Sequence, residues 1–462
     1  MNSLDQSNSL IGIFPLTYNL AETGRSILVA EKIQEMGGNL IFFTHGGEYE
    51  YLIDNFGFKK IRIKPYYSNK IINQIIKSNR GEIKKLPYQF DFLKKAVENE
   101  VEIFKKTNVS LIVSFVENTC LLSTRIAKIP HIKVIPCEGR FHYRIPDNIE
   151  TKFTRLLPQF IKIKILNKLF GKGNKKELRL FNDVANNFNL KPFSNFKEFY
   201  KTDLTLSTDF LEFINIFPNQ QLYSKKDYVG VILLENLFKD IFNEENSEKI
   251  NERIKNHINK NDKKSIFVTM GSSGDRDFFL RILNTLKNKD YNVIAVYGNI
   301  ISNDEASHFN ENILLEKFVP STMFIHKNVD LSVIHGGHGT LYSAIYSGKP
   351  IIGFPMQFEQ HIHLEKIQGH GLGYMLSRRF FKEKDFLNKI DHIFRNYDYY
   401  YTNAQNLLGK LPPPEGDKNA AIRILNFIKI SQISAKKMPK SQGDENTAGR
   451  VYDTIEKYPV KK

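Results

Sequence analysis

His335, Gly336, Gly337, His338, Gly339 and Thr340 follow directly on the strand-like run VDLSVI. Two kinds of chemistry fit these residue types. Two histidines three apart can ligate a metal. Glycines between His and Thr can instead bring backbone amides, an imidazole N–H and a hydroxyl against a phosphate. The metal reading is the weaker, because a zinc pair on a helix uses i, i+4 spacing and a third ligand. His335 and His338 straddle glycines, with no Cys or acid beside them. A dinucleotide fingerprint is incomplete, since Tyr342 stands where the last glycine of G-x-G-x-x-G belongs, and the Walker lysine pattern is absent. A third reading, glycines serving only a tight turn, stays open at this point.

The elements around the motif set where it must sit. Val329 to Ile334 predicts a buried strand, and Leu341, Ala344, Ile345 and Gly348 recur at i, i+3, i+4 and i+7 of a short helix. Gly348 ends that helix and Lys349-Pro350 leads into the next strand, PIIGFP, completing a βαβ unit. The motif therefore lies at the carboxyl end of a strand and the amino end of a helix. Ligands of open α/β sheets bind there, and free N–H groups with the helix dipole favour phosphate.

The same alternation runs through the chain. IGIF, NLIFFT, VSLIVSF and HIKVIP read as strands, with helical segments at Arg25 to Met36 and in ENTCLLSTRIAKI. After a charged, Asn-rich stretch the pattern restarts with SIFVTM, then a helical DFFLRILNTLKNK, then YNVIAVYG, NILLEKF, VDLSVI and PIIGFP. A chain of 462 residues exceeds what one core usually serves. The reading is α/β, with two doubly wound, Rossmann-like domains. Residues 1–225 form the first domain, 226–262 the linker region, 263–433 the second domain, and 434–462 a polar, disordered tail.

Composition excludes several classes. Cys120 and Cys137 are the only cysteines, which argues against a disulfide scaffold and for a reducing, cytoplasmic setting. No apolar run reaches the ~18 residues of a membrane span, and MNSLDQSNSL lacks the regions of a signal peptide. The formal charge of +16 predicts attraction to anions, or else a lysine-rich solvated surface. Nucleic-acid binding is not expected, because no recognition module accompanies the charge. Between Thr151 and Arg179 nine Lys or Arg and one acid, Glu177, interleave with Phe, Leu and Ile. That mixture suits a helix on an anionic membrane surface, or an ordinary domain helix with snorkelling lysines. Pro158 argues against one continuous helix across it.

These residues carry a family resemblance. HGGHGTLYSAIYSGKPIIGFPMQFEQ resembles the donor signature of nucleotide-sugar glycosyltransferases of the GT-B fold, above all the UDP-glycosyltransferases acting on sterols, macrolides and other small acceptors. IFVTMGSSGD, KFVP, TGRSILVAEKIQEMGGNLIFFT and YVGVILL match further family segments in order, across most of residues 11 to 430. The resemblance implies two domains facing across a cleft, with a UDP-sugar as donor substrate, no cofactor and no metal. It implies that His335 and the amides around Gly337 and Gly339 hold the diphosphate, with Thr340 on the phosphate nearest the nucleoside. Gly271 and Ser272 would border the phosphates, and Phe318 would stack on the uracil. Glu359 and Gln360 would bind hydroxyls of the transferred sugar. From the residues alone, Phe318 reads equally as a core aromatic, and Glu359 with Gln360 as a solvated helix start.

Two positions depart from the family pattern. Ser343 stands where a Glu commonly grips the ribose, so Ser343→Glu is expected to tighten UDP binding. Aligning on Arg25 puts Glu22 where the family often has a His as general base. Inverting transfer needs a base for the acceptor hydroxyl proton, and a carboxylate serves if burial raises its pKa. The alternative is a surface Glu at a helix start; His45 is a further candidate base. The expected function is an inverting, metal-independent transfer of a sugar to the hydroxyl of a small or lipid-like acceptor. The alternatives are an epimerase of the same architecture and a catalytically impaired nucleotide-sugar-binding protein.

Overall fold

The computed structural model describes residues 9–79, 89–136, 156–199, 201–214, 228–235, 237, 244–271, 274–309 and 312–437. Among them, twelve strands form two six-stranded parallel sheets. The first contains β1 (Leu10–Pro15), β2 (Asn39–Thr44), β3 (Lys60–Arg62), β4 (Leu111–Phe115), β5 (His131–Ile135) and β6 (Leu204–Ser207), in the order β3-β2-β1-β4-β5-β6. The second contains β7 (Lys264–Thr269), β8 (Tyr291–Val296), β9 (Ile313–Glu316), β10 (Leu331–Ile334), β11 (Ile351–Gly353) and β12 (Gly373–Met375), ordered β12-β11-β10-β7-β8-β9. Central strands such as β4 and β10 are buried throughout, because helices cover both faces of a parallel sheet.

Each order reverses once, between β1 and β4 in the first sheet and between β10 and β7 in the second. Loops leaving the strands on either side of such a reversal diverge and open a crevice at the carboxyl edge. The glycine-rich motif follows β10 and the Gly271 loop follows β7, so both flank the second reversal.

The helices that bear on the site are α1 (Leu20–Glu35), α2 (Gln159–Asn187), α3 (Thr322–Asn328), α4 (His338–Ile345), α5 (Phe358–Gly369) and α6 (Gly416–Lys437). The first of these begins five residues before the expected Arg25, because the Asn19 side chain accepts from the Ala21 and Glu22 amides and caps it there. Inside it, Gly24 lies against Leu234 and Leu237 of the linker, with no room for a side chain.

Three expectations change. β3, β6 and β12 were not read from the sequence; they are short edge strands with little apolar signal. Pro158 does not interrupt the basic segment but stands at the N-cap of α2, which runs unbroken for 29 residues; residues 151–155 lie outside the described ones. The final helix, α6, does not pack with the second domain. Its Ala420, Ala421, Ile424 and Phe427 join the core beneath β1 and β4, so the chain crosses back to the first domain. Burying Ile424 and Phe427 there contributes roughly 1.5–3 kcal/mol each. Among the described residues no helix is long and apolar enough to cross a membrane.

Candidate active site

The cradle is built by α4. Its N-cap is Gly337, which offers no side-chain cap, and Leu341 is the first residue to donate back, to the Gly337 carbonyl. The amides of His338, Gly339 and Thr340 therefore lack intrahelical acceptors, the arrangement that attracts an anion. A Cβ placed on Gly339 would meet no atom within 4 Å, so packing does not require glycine there. The absence of a side chain instead leaves the amide approachable. Gly337 and Gly271 differ: a Cβ on either would strike the His335 ring. Gly271 also has φ +57, a backbone that favours glycine. Within the motif the tight-turn reading thus fits Gly336, whose φ is +84, and fails for Gly339, while Gly337 is required by the nearby His335 ring.

His335 is buried, which pushes its pKa down to about 4 against the opposing influence of the Thr269 backbone. Its neutral ring has Nδ1 buried without a hydrogen-bond partner. Thr340 is half-buried beside the cradle. Ser272 lies outside the described residues. Phe318 is 48% exposed next to Gly298, so it is not a core aromatic but a flat surface at the carboxyl edge of the sheet.

Glu359 and Gln360 open α5 and part company. Gln360 is buried, and its Oε1 accepts from the Met356 and Gln357 amides at 2.8 and 3.1 Å, forming a capping box with Gln357. That oxygen is committed to the backbone, so Gln360 anchors the helix start instead of offering its carbonyl to a sugar. Glu359 is partly exposed and makes no hydrogen bond or ion pair among the described residues. Its charge reaches Glu22 of the first domain and raises that carboxyl's pKa.

Glu22 is not a surface cap. Asn19 caps the helix, while Glu22 is buried and paired through Oε1 with Arg25. Its Oε2 is buried without a partner. Burial raises the carboxyl above the usual carboxylate range, despite the lowering pull of Arg25 and Lys133. A raised pKa makes the carboxylate a stronger base. His45 is a poor competitor: Nδ1 faces the Ile63 carbonyl at 3.0 Å and Nε2 faces buried Glu100 at 2.8 Å. With both nitrogens opposite acceptors neither is open to a substrate proton; desolvation lowers the pKa of the ring, but the hydrogen bond and charge of Glu100 outweigh it and leave it raised.

His338 joins the two domains, a role no spacing argument foresaw. Arg25 Nη1 donates to its Nδ1 at 3.2 Å. On the other side its Nε2 lies 3.1 Å from the Thr208 carbonyl and 3.2 Å from Asp209 Oδ1. Tyr342 adds a hydrogen bond to Asp209 Oδ1 at 2.8 Å. Thr208 and Asp209 follow β6, the unforeseen edge strand, which is why no motif pointed to them. Burial lowers the His338 pKa, consistent with Nδ1 accepting from a guanidinium. The starts of α1 and α4 are thereby held face to face. No group of three or more His, Cys, Asp or Glu able to hold a metal occurs among the described residues.

Comparison with known proteins bears on the fold that carries these residues. Residues 265–416 match the family described as Glycosyltransferase family 28 C-terminal domain. A stretch of 172 residues is 26% identical to a Bacillus subtilis (strain 168) protein named uncharacterized UDP-glucosyltransferase YojK, covering 37% of this chain and 42% of that protein. The chain spans less than half the length of the curated relatives it matches first. Among solved structures, the calicheamicin glycosyltransferase CalG4 superposes with a TM-score of 0.63 at 12% identity, covering 91% of this chain and 99% of that one. The glycosyltransferase VinC, solved in complex with DTDP, superposes with a TM-score of 0.58 at 11% identity over 90% of this chain and 99% of its own. The resemblance read from the sequence is therefore borne out: the chain has the two-domain GT-B fold of these glycosyltransferases, and residues 265–416 are similar to the family 28 C-terminal domain.

Proposed function

We propose that the protein is a glycosyltransferase that moves a sugar from a UDP-sugar to an acceptor hydroxyl with inversion and without a metal. The observation that carries this reading is the pairing across the domain interface. Free amides, His335 and Thr340 lie on one side, and a buried carboxylate with a raised pKa lies on the other. Charge developing on the leaving diphosphate would meet preorganised N–H donors and the α4 dipole. Glu22 would take the acceptor proton through Oε2 while Arg25 holds the carboxylate in place. Glu359 would orient the transferred sugar through its hydroxyls. The relative named as a UDP-glucosyltransferase and the DTDP complex of VinC support a nucleoside-diphosphate donor.

For the acceptor, the basic helix α2 supports an apolar or lipid-like molecule taken from an anionic surface. Leu156 and Phe160, beside its start, are 85% and 70% exposed. Flotation with anionic liposomes should fall when Lys162, Lys164, Lys175 and Lys176 are replaced by Glu; equal behaviour of wild type and variant would remove this part of the reading.

The test of the central claim is calorimetric UDP binding in EDTA, followed by acceptor-dependent UDP release. His335→Ala and Thr340→Val should each weaken binding. Glu22→Gln should leave binding within about twofold and lower turnover by a hundredfold or more, the usual scale of general-base loss. Full turnover in Glu22→Gln would reassign the base. Binding of UDP with no acceptor-dependent UDP release would favour an epimerase or a binding protein.

A further inference from the structure

Ser343 leaves the donor site without the carboxylate that the family pattern would place on α4, yet a carboxylate stands there. Glu235, from the segment joining the two domains, reaches across to this helix. Its Oε1 accepts from Ser343 Oγ at 2.9 Å, from the Met323 amide at 3.1 Å and from Thr322 Oγ1 at 3.3 Å. Three donors converge on one oxygen. The other, Oε2, has no hydrogen-bond partner among the described residues, and the side chain is only partly buried. A carboxylate pinned through one oxygen with the second left open is poised to accept from a ligand hydroxyl.

Its position says which hydroxyls. Ser343 is three and four residues beyond Thr340 and Gly339, so it lies on the same face of α4, about 5.4 Å along the axis from the free amides. Phe318 stands exposed four residues before α3, whose start donates to Glu235. Amide cradle, carboxylate and aromatic surface thus succeed one another as phosphate, ribose and base do in a nucleoside diphosphate.

We infer that Glu235 holds the ribose hydroxyls of the donor, taking over from the linker the role that Ser343 cannot fill. The inference rests on the proposed nucleoside-diphosphate site and adds a specificity to it. The protein selects ribonucleotides over 2′-deoxyribonucleotides.

The experiment compares UDP with 2′-deoxy-UDP by calorimetry on the full-length protein. Wild type should bind UDP about tenfold or more tightly than 2′-deoxy-UDP, the scale of one hydrogen bond to a charged acceptor. In Glu235→Gln the carboxamide oxygen still accepts from Met323, but an NH2 group replaces the free acceptor oxygen. The preference should shrink to about twofold or less. In Ser343→Glu combined with Glu235→Ala, a carboxylate returned on α4 should restore it. If Glu235 only tethers the linker, both nucleotides weaken together and the ratio stays at its wild-type value, which overturns the inference while leaving the donor site standing. Equal binding of the two nucleotides by wild type overturns it as well. Failure of wild type to bind either one removes the donor reading, and this inference with it.

Discussion

Replacing His338 with Ala tests whether the two domains are locked in the arrangement that aligns Glu22 with the cradle. The imidazole is almost fully buried, and its Nε2–H is shared among the Thr208 carbonyl, the Thr208 hydroxyl at 3.4 Å and Asp209. A hydrogen bond to a charged group is worth about 1.5–3 kcal/mol, and a single proton divided among three acceptors delivers the lower end. The pair His338–Asp209 should therefore show a coupling of about 1–2 kcal/mol in a double-mutant cycle with Asp209→Asn. The single change also empties the space packed against the Tyr342 ring, whose centroid is 4.9 Å away, and removes the acceptor of Arg25. The total loss of stability should be about 2–4 kcal/mol. Urea unfolding of the four proteins measures the cycle. UDP affinity should change little, because the side chain points to the first domain and away from the free amides. Turnover should fall, because Arg25 loses the contact that orients it beside Glu22. Additive losses within about 0.3 kcal/mol would refute the claim that these residues form one interdomain lock.

Three further outcomes follow from the same geometry. Gly339→Ala should leave stability unchanged or slightly improved, by up to about 1 kcal/mol from helix propensity, while UDP binding weakens severalfold. Gly337→Ala should destabilise the fold by displacing His335, and denaturation alongside calorimetry separates the two. The earlier expectation for Ser343→Glu reverses: with Glu235 already 2.9 Å from the Ser343 hydroxyl, a second carboxylate brings repulsion of about 1–4 kcal/mol, so UDP binding should not tighten. Tighter binding in the single variant would contradict this account. Finally, His335 titrates at about 4 when folded and near 6.5 when unfolded, so the unfolded state binds the extra proton between these values. Its contribution is present above about pH 6.5 and is lost as pH falls toward 4, at about 1.4 kcal/mol per pH unit. His335→Asn should flatten the acid limb of the stability curve by that slope; an unchanged slope would show that His335 is not buried in neutral form.

The sequence by itself determined the α/β class, the central strands of both sheets and the location of the glycine-rich turn between β10 and α4. These rest on local information: apolar runs long enough to be buried on both faces, and glycines whose spacing fits one strand-to-helix turn. Glu22 was singled out through the family resemblance, by alignment on Arg25, although its burial was not legible. Tertiary structure alone decided the rest. The edge strands β3, β6 and β12 carry little apolar signal, because only one of their sides must pair. α6 returns to the first domain, and no local pattern encodes which of two cores receives an amphipathic helix. His338 looked like half of a metal pair, but what Nδ1 and Nε2 meet depends on Arg25 and Asp209, 313 and 129 positions away along the chain. Glu235 lies in no motif, and its carboxylate reaches α4 only because the linker is pinned between the two sheets. A sequence shows which groups can do chemistry through their spacing, whereas partners supplied by distant segments are chosen by packing.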